Sequence, residues 1–399
     1  MKKKFKSNFR IQSIHKMTIE STIHIIIIAN GFQTDYLLNF VTALSENCKV
    51  VFICSDNMEK TKFNTNVVVK NLRGDHNPDV PLKNKVIRIL KYYYKLFRFI
   101  QKSKIKVVHI QWLRFYLIDG LLFTLFARLT GKKVIYTAHD VLPHDRITLI
   151  NRLIFRLIYK SQNVIIVHTS FLKNRLHKEF NVAKNKVHFI EHGVYNVANS
   201  KEITFELARY RYNLCKEDFV VLFFGRIAKY KGVELIASNI NRFSYNNKNV
   251  KLIIAGEVSK DYETEFYKYF KTIDTSNIIK RFGFIENQEV EFLFKSSNVT
   301  VLPYKEASQS GVLFLSYAYG TPIIAPQIGG FSNYIIHNKT GLLYNPDVES
   351  SFFSAVSKAI QIFSNLSTES RNSIKKYAYN NFSWSASCKK LNSIYTKYQ

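Results

Sequence analysis

Two loops of this 399-residue chain carry side chains suited to holding an anion. In the first, the apolar run FVVLFFG (219–225) gives way at once to Arg226, and Lys231 follows beside Gly232. Arginine offers a planar, bidentate fork and lysine a compact point charge, so the pair suits a diphosphate. A helix opening near Gly232 would add unpaired backbone N–H groups and the positive end of its dipole. In the second loop, LPYKEASQSGVLFLSYAYGTPIIAP (302–326), Glu306 precedes SQSG and an apolar helix that Gly320 ends. The amides of Ser310, Gly311 and Val312, with the serine hydroxyl, are placed to meet a second polar group. Glu306 could accept hydrogen bonds from sugar hydroxyls. The bland readings are an exposed basic loop in a lysine-rich chain and a solvated glutamate.

Such loops must be held by strands. Short apolar runs alternate with helical patterns along nearly the whole chain: 23–29, 49–55, 106–112, 132–140, 163–170 and 186–193 in the first half. The second half has 219–225, 250–257, 278–284, 298–304 and 321–326. Strands alternating with helices imply parallel sheets covered on both faces. The polar stretch 195–206 divides two such blocks. The expectation is an α/β fold of two Rossmann-like domains, at 1–198 and 199–381, with a closing segment at 382–399. Ligands of such sheets bind at the carboxyl ends of the strands, where both loops stand.

Net charge is +29 and unevenly spread. Residues 1–200 hold 33 Lys and Arg against 12 Asp and Glu, a net of +21, and the remainder nets +8. That asymmetry points to an anionic partner for the first half, with lysine-rich genomic bias as the plain alternative. Residues 82–106 mix Lys91, Lys95 and Arg98 with aliphatic and aromatic residues at helical spacing, the composition of an interfacial helix. We expect this stretch, widened by 151–160, to dock on an anionic membrane surface. No run reaches the roughly 18–20 apolar residues of a membrane span. No signal-peptide core follows the basic start, and residues 1–20 read as a loose arm with Met17 an alternative start. The expected location is the cytoplasm, peripheral on the inner membrane face. The four cysteines lack metal or redox spacing. His139 and His144 could be a zinc pair by type, but no third ligand has suitable spacing, and there is no Asp-x-Asp pair, so no metal is expected.

Taken in order, GRIAKYKG, LIIAGE, FGFI, PYKEASQSGV, YAYGTPIIA, IGGFSNYI and TGLLYNPD resemble the donor-binding half of GT-B glycosyltransferases of the retaining family 4 type. The first half is similar too, through Gly31 before a helix, YTAHDVLPH (136–144) and EHGVY (191–195), and FSW (382–384) resembles the family's return to the first domain. The resemblance implies a retaining hexosyltransferase acting without cofactor on a UDP- or GDP-linked sugar. Its implied acceptor is a glycan or a polyprenyl-diphosphate-linked glycan of bacterial surface polysaccharide. It also implies roles. Arg226 and Lys231 grip the donor diphosphate, Glu306 lies in the sugar loop, and Ser310–Val312 lie near the phosphates. Gly283 and Phe284 flank the base, Gly31 approaches the donor, and His139 touches the transferred sugar. One departure is clear: many relatives carry a second glutamate eight residues on for the ribose, and FLS (314–316) has no carboxylate, with the loop register offset by a residue. The rival readings are another GT-B enzyme such as an epimerase, whose cleft carboxylates are not found, and a basic nucleic-acid-binding protein. No nucleic-acid module is recognisable, so nucleic acid is not expected as a partner.

Overall fold

The computed structural model describes residues 23–399 except 30–32, 57, 75–76, 78, 143–147, 198–201 and 246–247. Gly31, His144 and the whole expected N-terminal arm (1–20) lie outside the described residues.

The first sheet is built from β1 (Ile23–Ile28), β2 (Cys48–Ile53), β3 (Val67–Lys70), β4 (Val107–Ile110), β5 (Lys133–Thr137), β6 (Val164–Val167) and β7 (Val187–Phe189). They lie in the order β3-β2-β1-β4-β5-β6-β7, and every pairing is parallel. Ile25 to Ile28 are all buried, as a strand covered on both faces requires. The covering helices are α1 (Thr34–Leu44), α2 (Leu82–Lys102), α3 (Phe123–Leu129), α4 (Leu149–Ser161) and α5 (Ser170–Phe180).

After α6 (Phe205–Tyr210), a second parallel sheet repeats the plan with β8 (Phe219–Phe224), β10 (Lys248–Gly256), β11 (Ile278–Phe282), β12 (Val299–Val301), β13 (Ile323–Pro326) and β14 (Gly341–Tyr344). Its order is β11-β10-β8-β12-β13-β14, with the short β9 (Ser244–Tyr245) antiparallel to β10. Its helices are α7 (Val233–Ala237), α8 (Glu263–Phe270), α9 (Asn287–Ser296), α10 (Gly311–Ala318), α11 (Phe331–Tyr334) and α12 (Glu349–Phe363). The two-domain α/β expectation is met. Three strands were not anticipated: β3, β9 and β14. β3 and β14 are edges of their sheets, and β9 has only two residues.

The chain then returns through α13 (Thr368–Asn381) to α14 (Trp384–Thr396), which packs on the first sheet. Cys388, Leu391 and Tyr395 are buried there, and the Tyr395 hydroxyl lies 2.6 Å from His109 Nδ1. The two crossovers are pinned together. Val194 N–H donates to the Phe382 carbonyl at 2.7 Å, and Gly193 lies flat against the Trp384 indole. A Cβ on Gly193 would stand 2.3 Å from that ring, so only glycine lets the strands of chain approach this closely.

Candidate functional site

In the second sheet the chain runs outward from β8 to β11 and then returns to β12 on the other side of β8. A crevice opens where the order reverses, flanked by the loops after β8 and β12. Gly225, Gly256 and Gly283 end the adjacent strands β8, β10 and β11, with φ of +97°, +143° and +116°. A Cβ on Gly256 would fall 2.1 Å from the Gly225 carbonyl oxygen, which keeps this shelf flat. Beside open space at Gly283 stands Phe284, 85% exposed, a ring able to stack on a base.

Arg226 is exposed at the rim, whereas Lys231 is buried in a single turn of 3₁₀ helix (Lys229–Lys231). The Lys231 ammonium lies over Tyr304, 5.3 Å from the ring centre, with no acidic partner among the described residues. Burial pulls it below the ordinary lysine range; Tyr230 opposes that effect and Arg226 reinforces it. A desolvated, unpaired cation is costly, and an incoming anion would offset that cost. Lys231 Nζ is 3.4 Å, and Val312 Cγ2 3.2 Å, from where a Gly225 Cβ would stand. The two sequence loops therefore converge on one point. The anticipated helix does open after Gly232, but α7 has only five residues, so the charge at this point comes from side chains more than from a helix dipole.

Ser310 occupies the N-cap position of α10 without capping it, and its hydroxyl lies 3.4 Å from the Tyr304 hydroxyl. Glu306 is exposed and within Coulombic reach of Arg175 on α5, across the cleft. Ser316, in the segment lacking the second glutamate, is buried and committed to Thr300 Oγ1 (2.7 Å) and the Thr321 carbonyl (2.8 Å). Its hydroxyl is engaged within the fold.

His139 follows β5 on the opposite wall. Its ring stacks on Trp112 at 4.2 Å with 4° between planes, and the Gln309 amide donates to its Nδ1 at 3.3 Å from the second domain. His139 Nε2 and Gln309 Oε1 are buried without a hydrogen-bond partner. Burial holds the imidazole well below its ordinary pKa, helped by His168, His192 and His109, so it is neutral and suited to hydrogen bonding. His168 and His192 complete a cluster: His168 falls to about 4 through burial, and His192 stacks on Phe314 of α10 at 4.5 Å. Gln309, Tyr304 and Trp112 were not singled out in the sequence. Their signal was positional, since each follows a strand on the cleft side. Among the described residues no group of three His, Cys, Asp or Glu is arranged to hold a metal ion.

Lys91, Lys95 and Arg98 are exposed on α2, in the first domain. Leu82, Val86, Leu90 and Tyr94 are exposed on the same helix, and Leu149, Ile150, Leu153 and Leu157 on α4. Leu122, Leu125 and Leu129, on and just before α3, are exposed between them. No described helix is long and apolar enough to cross a membrane.

Two facing parallel-sheet domains with this crevice define the GT-B architecture. HepE of Anabaena, solved with UDP and glucose, superposes with a TM-score of 0.72 at 12% identity, covering 94% of this chain and all of that one. The chain belongs to the glycosyltransferases: residues 33–195 match Glycosyltransferase Family 4 and residues 205–381 match Glycosyl transferases group 1. An uncharacterized glycosyltransferase of Methanocaldococcus jannaschii is 26% identical over 59% of this chain and 60% of its own length. The capsular polysaccharide biosynthesis glycosyltransferase CapM of Staphylococcus aureus is 21% identical over 61% of this chain and 64% of its own. The chain thus spans about 60% of the length of these curated relatives.

Proposed function

We propose that the protein transfers a hexosyl unit, with retention of configuration, from a UDP- or GDP-linked sugar to a glycan or lipid-linked acceptor in bacterial surface polysaccharide synthesis. The observation that carries this reading is Lys231: a buried cation without an acidic partner, converging with Gly225 and the start of α10 at the switch point. Its charge, with Arg226 and the α10 amides, would stabilise the negative charge that develops on the departing nucleoside diphosphate. The donor sugar would lie between Glu306 and the pair His139 and Gln309, whose orphaned Nε2 and Oε1 suit sugar hydroxyls. Phe284 would stack on the base. HepE, which binds UDP-glucose, supports the donor class, and CapM supports polysaccharide as product. The exposed apolar and basic faces of α2 and α4 support a membrane-proximal acceptor.

A thermal-shift panel of UDP-, GDP- and ADP-sugars tests the donor. A true donor at 100 times its Kd raises stability by about 2.7 kcal/mol. No shift with any nucleotide sugar would overturn the reading.

A further inference from the structure

A second basic cavity opens on the first domain, away from the donor crevice. It holds about 500 Å³ between the end of β3 and helix α2, and Arg73, Gly74, Ile87, Arg88, Lys91 and Lys95 line it. Four cations around one cavity are not scattered surface charge. Arg73 is 8% exposed, with its guanidinium over Tyr92, 5.8 Å from the ring centre. Gly74 is in the left-handed region (φ +76°), and the Arg88 stem lies 3.5 Å from where its Cβ would stand. Among the described residues the carboxylates of Asp119 and Asp56 are near. Asp119 accepts from the Tyr93 hydroxyl at 2.7 Å and from the amides of Arg114 and Phe115. Asp56 Oδ2 is 3.9 Å from the Gly74 Cβ position. Among the described residues the four cations outnumber these carboxylates.

The cavity is continuous with the apolar helix faces. Ile87, which lines it, is 40% exposed, and Leu90 beside it is 64% exposed. From Leu82 to Lys102, α2 carries seven Lys and Arg and no Asp or Glu. A ligand meeting both features has a multiply charged anionic head and a hydrocarbon tail. The cavity also lies on the carboxyl edge of the sheet, as His139 does. Four strand spacings of about 4.8 Å separate β3 from β5, so the two points are roughly 19 Å apart.

We propose that this cavity binds the diphosphate of a lipid-linked acceptor, whose hydrocarbon chain lies along the apolar faces of α2 to α4 while its glycan extends toward His139. This rests on the lipid-linked branch of the proposed function and fixes where that acceptor is held. Arg88 and Arg73 supply planar forks for the phosphate oxygens, Lys91 and Lys95 point charges at the mouth.

The test uses the full chain carrying Arg226→Ala and Lys231→Ala, which removes the donor-site cations. Farnesyl diphosphate, inorganic diphosphate and farnesol are titrated calorimetrically. Farnesyl diphosphate is expected to bind, and both other probes to bind at least about tenfold more weakly. Adding Arg88→Gln and Lys91→Gln should weaken farnesyl diphosphate by at least about tenfold. In the otherwise native chain, the same two changes should leave the nucleotide-sugar thermal shift intact, which certifies the fold. That shift also separates failure here from failure of the donor reading. The proposal is overturned if farnesyl diphosphate does not bind, or if its binding ignores Arg88→Gln and Lys91→Gln. It is equally overturned if inorganic diphosphate matches it, marking a free-phosphate pocket, or if farnesol does, marking a merely greasy surface.

Discussion

The ammonium of Lys231 faces the ring of Tyr304 at 5.3 Å, and no carboxylate pairs with it among the described residues. Burial of this charge works against folding, so its presence marks a site arranged for a ligand and not for stability. Lys231→Met keeps the volume and removes the charge. The melting temperature should hold or rise while kcat falls by about 10²–10³-fold. Near-normal turnover in the folded variant would contradict the assignment.

His139 and Gln309 meet across the cleft, so each should act on the transferred sugar and not on the nucleotide. His139→Ala is expected to lower kcat far more than it weakens binding of the free nucleoside diphosphate. Equal losses in both would mark a structural histidine. Gln309→Ala should reproduce the pattern more mildly, and the double variant should cost less than the sum because the two side chains touch.

The buried histidines make stability acid-sensitive. Burial lowers His168 to about 4 and His109 to about 3 in the folded chain, against an ordinary value of 6.5. Between those values the unfolded chain binds more protons than the folded one, so stability rises with pH through this window. It is fully present above about pH 6.5 and is lost as pH falls toward 4, by about 3 kcal/mol for His168 alone. Chemical denaturation at pH 7.5, 6 and 5 should show a steadily falling midpoint, and His168→Asn should flatten the slope. A midpoint constant from pH 7 to 5 would show that the cluster does not titrate in this way.

Sedimentation with vesicles tests whether the exposed faces of α2 and α4 dock on a membrane. Binding to anionic vesicles is expected, at about 1 kcal/mol per engaged Lys or Arg, with little binding to neutral ones and weakening by salt. Changing Lys91, Lys95 and Arg98 to Gln should reduce it. Leu149→Gln with Leu153→Gln should reduce it as well, since α4 presents both side chains outward. Binding indifferent to lipid charge and to both sets of changes would place the docking surface elsewhere.

Much of the fold was legible because buried parallel strands leave unbroken apolar runs. Ile23–Ile28 and Phe219–Phe224 could scarcely be read otherwise. The edge strand β3 was not, since only Val69 of its four residues is fully buried. Arg226 and Lys231 were visible as types in a loop, but their difference in exposure was not. Lys231 lies over Tyr304, and its neighbour Gly232 abuts Pro303, both from a loop some seventy residues on. Gln309 was invisible as a partner of His139 because 170 residues separate them and only the packing of the two domains brings them together. Spacing reports what one helix or strand does; a site built across two domains is written in no single window.

The pinned crossovers also shape how the protein is made. α14 is translated only after the whole second sheet, yet it completes the first domain by covering Phe40 and its neighbours on α1. Contacts such as Cys388 with Phe40 and Cys48 with Asn392 close loops of 348 and 344 residues. Until they form, the nascent first domain carries an uncovered apolar flank, open to chaperones and to aggregation. Closing so long a loop late makes assembly slow. Vectorial synthesis therefore completes the second sheet before it supplies the helix that covers the first.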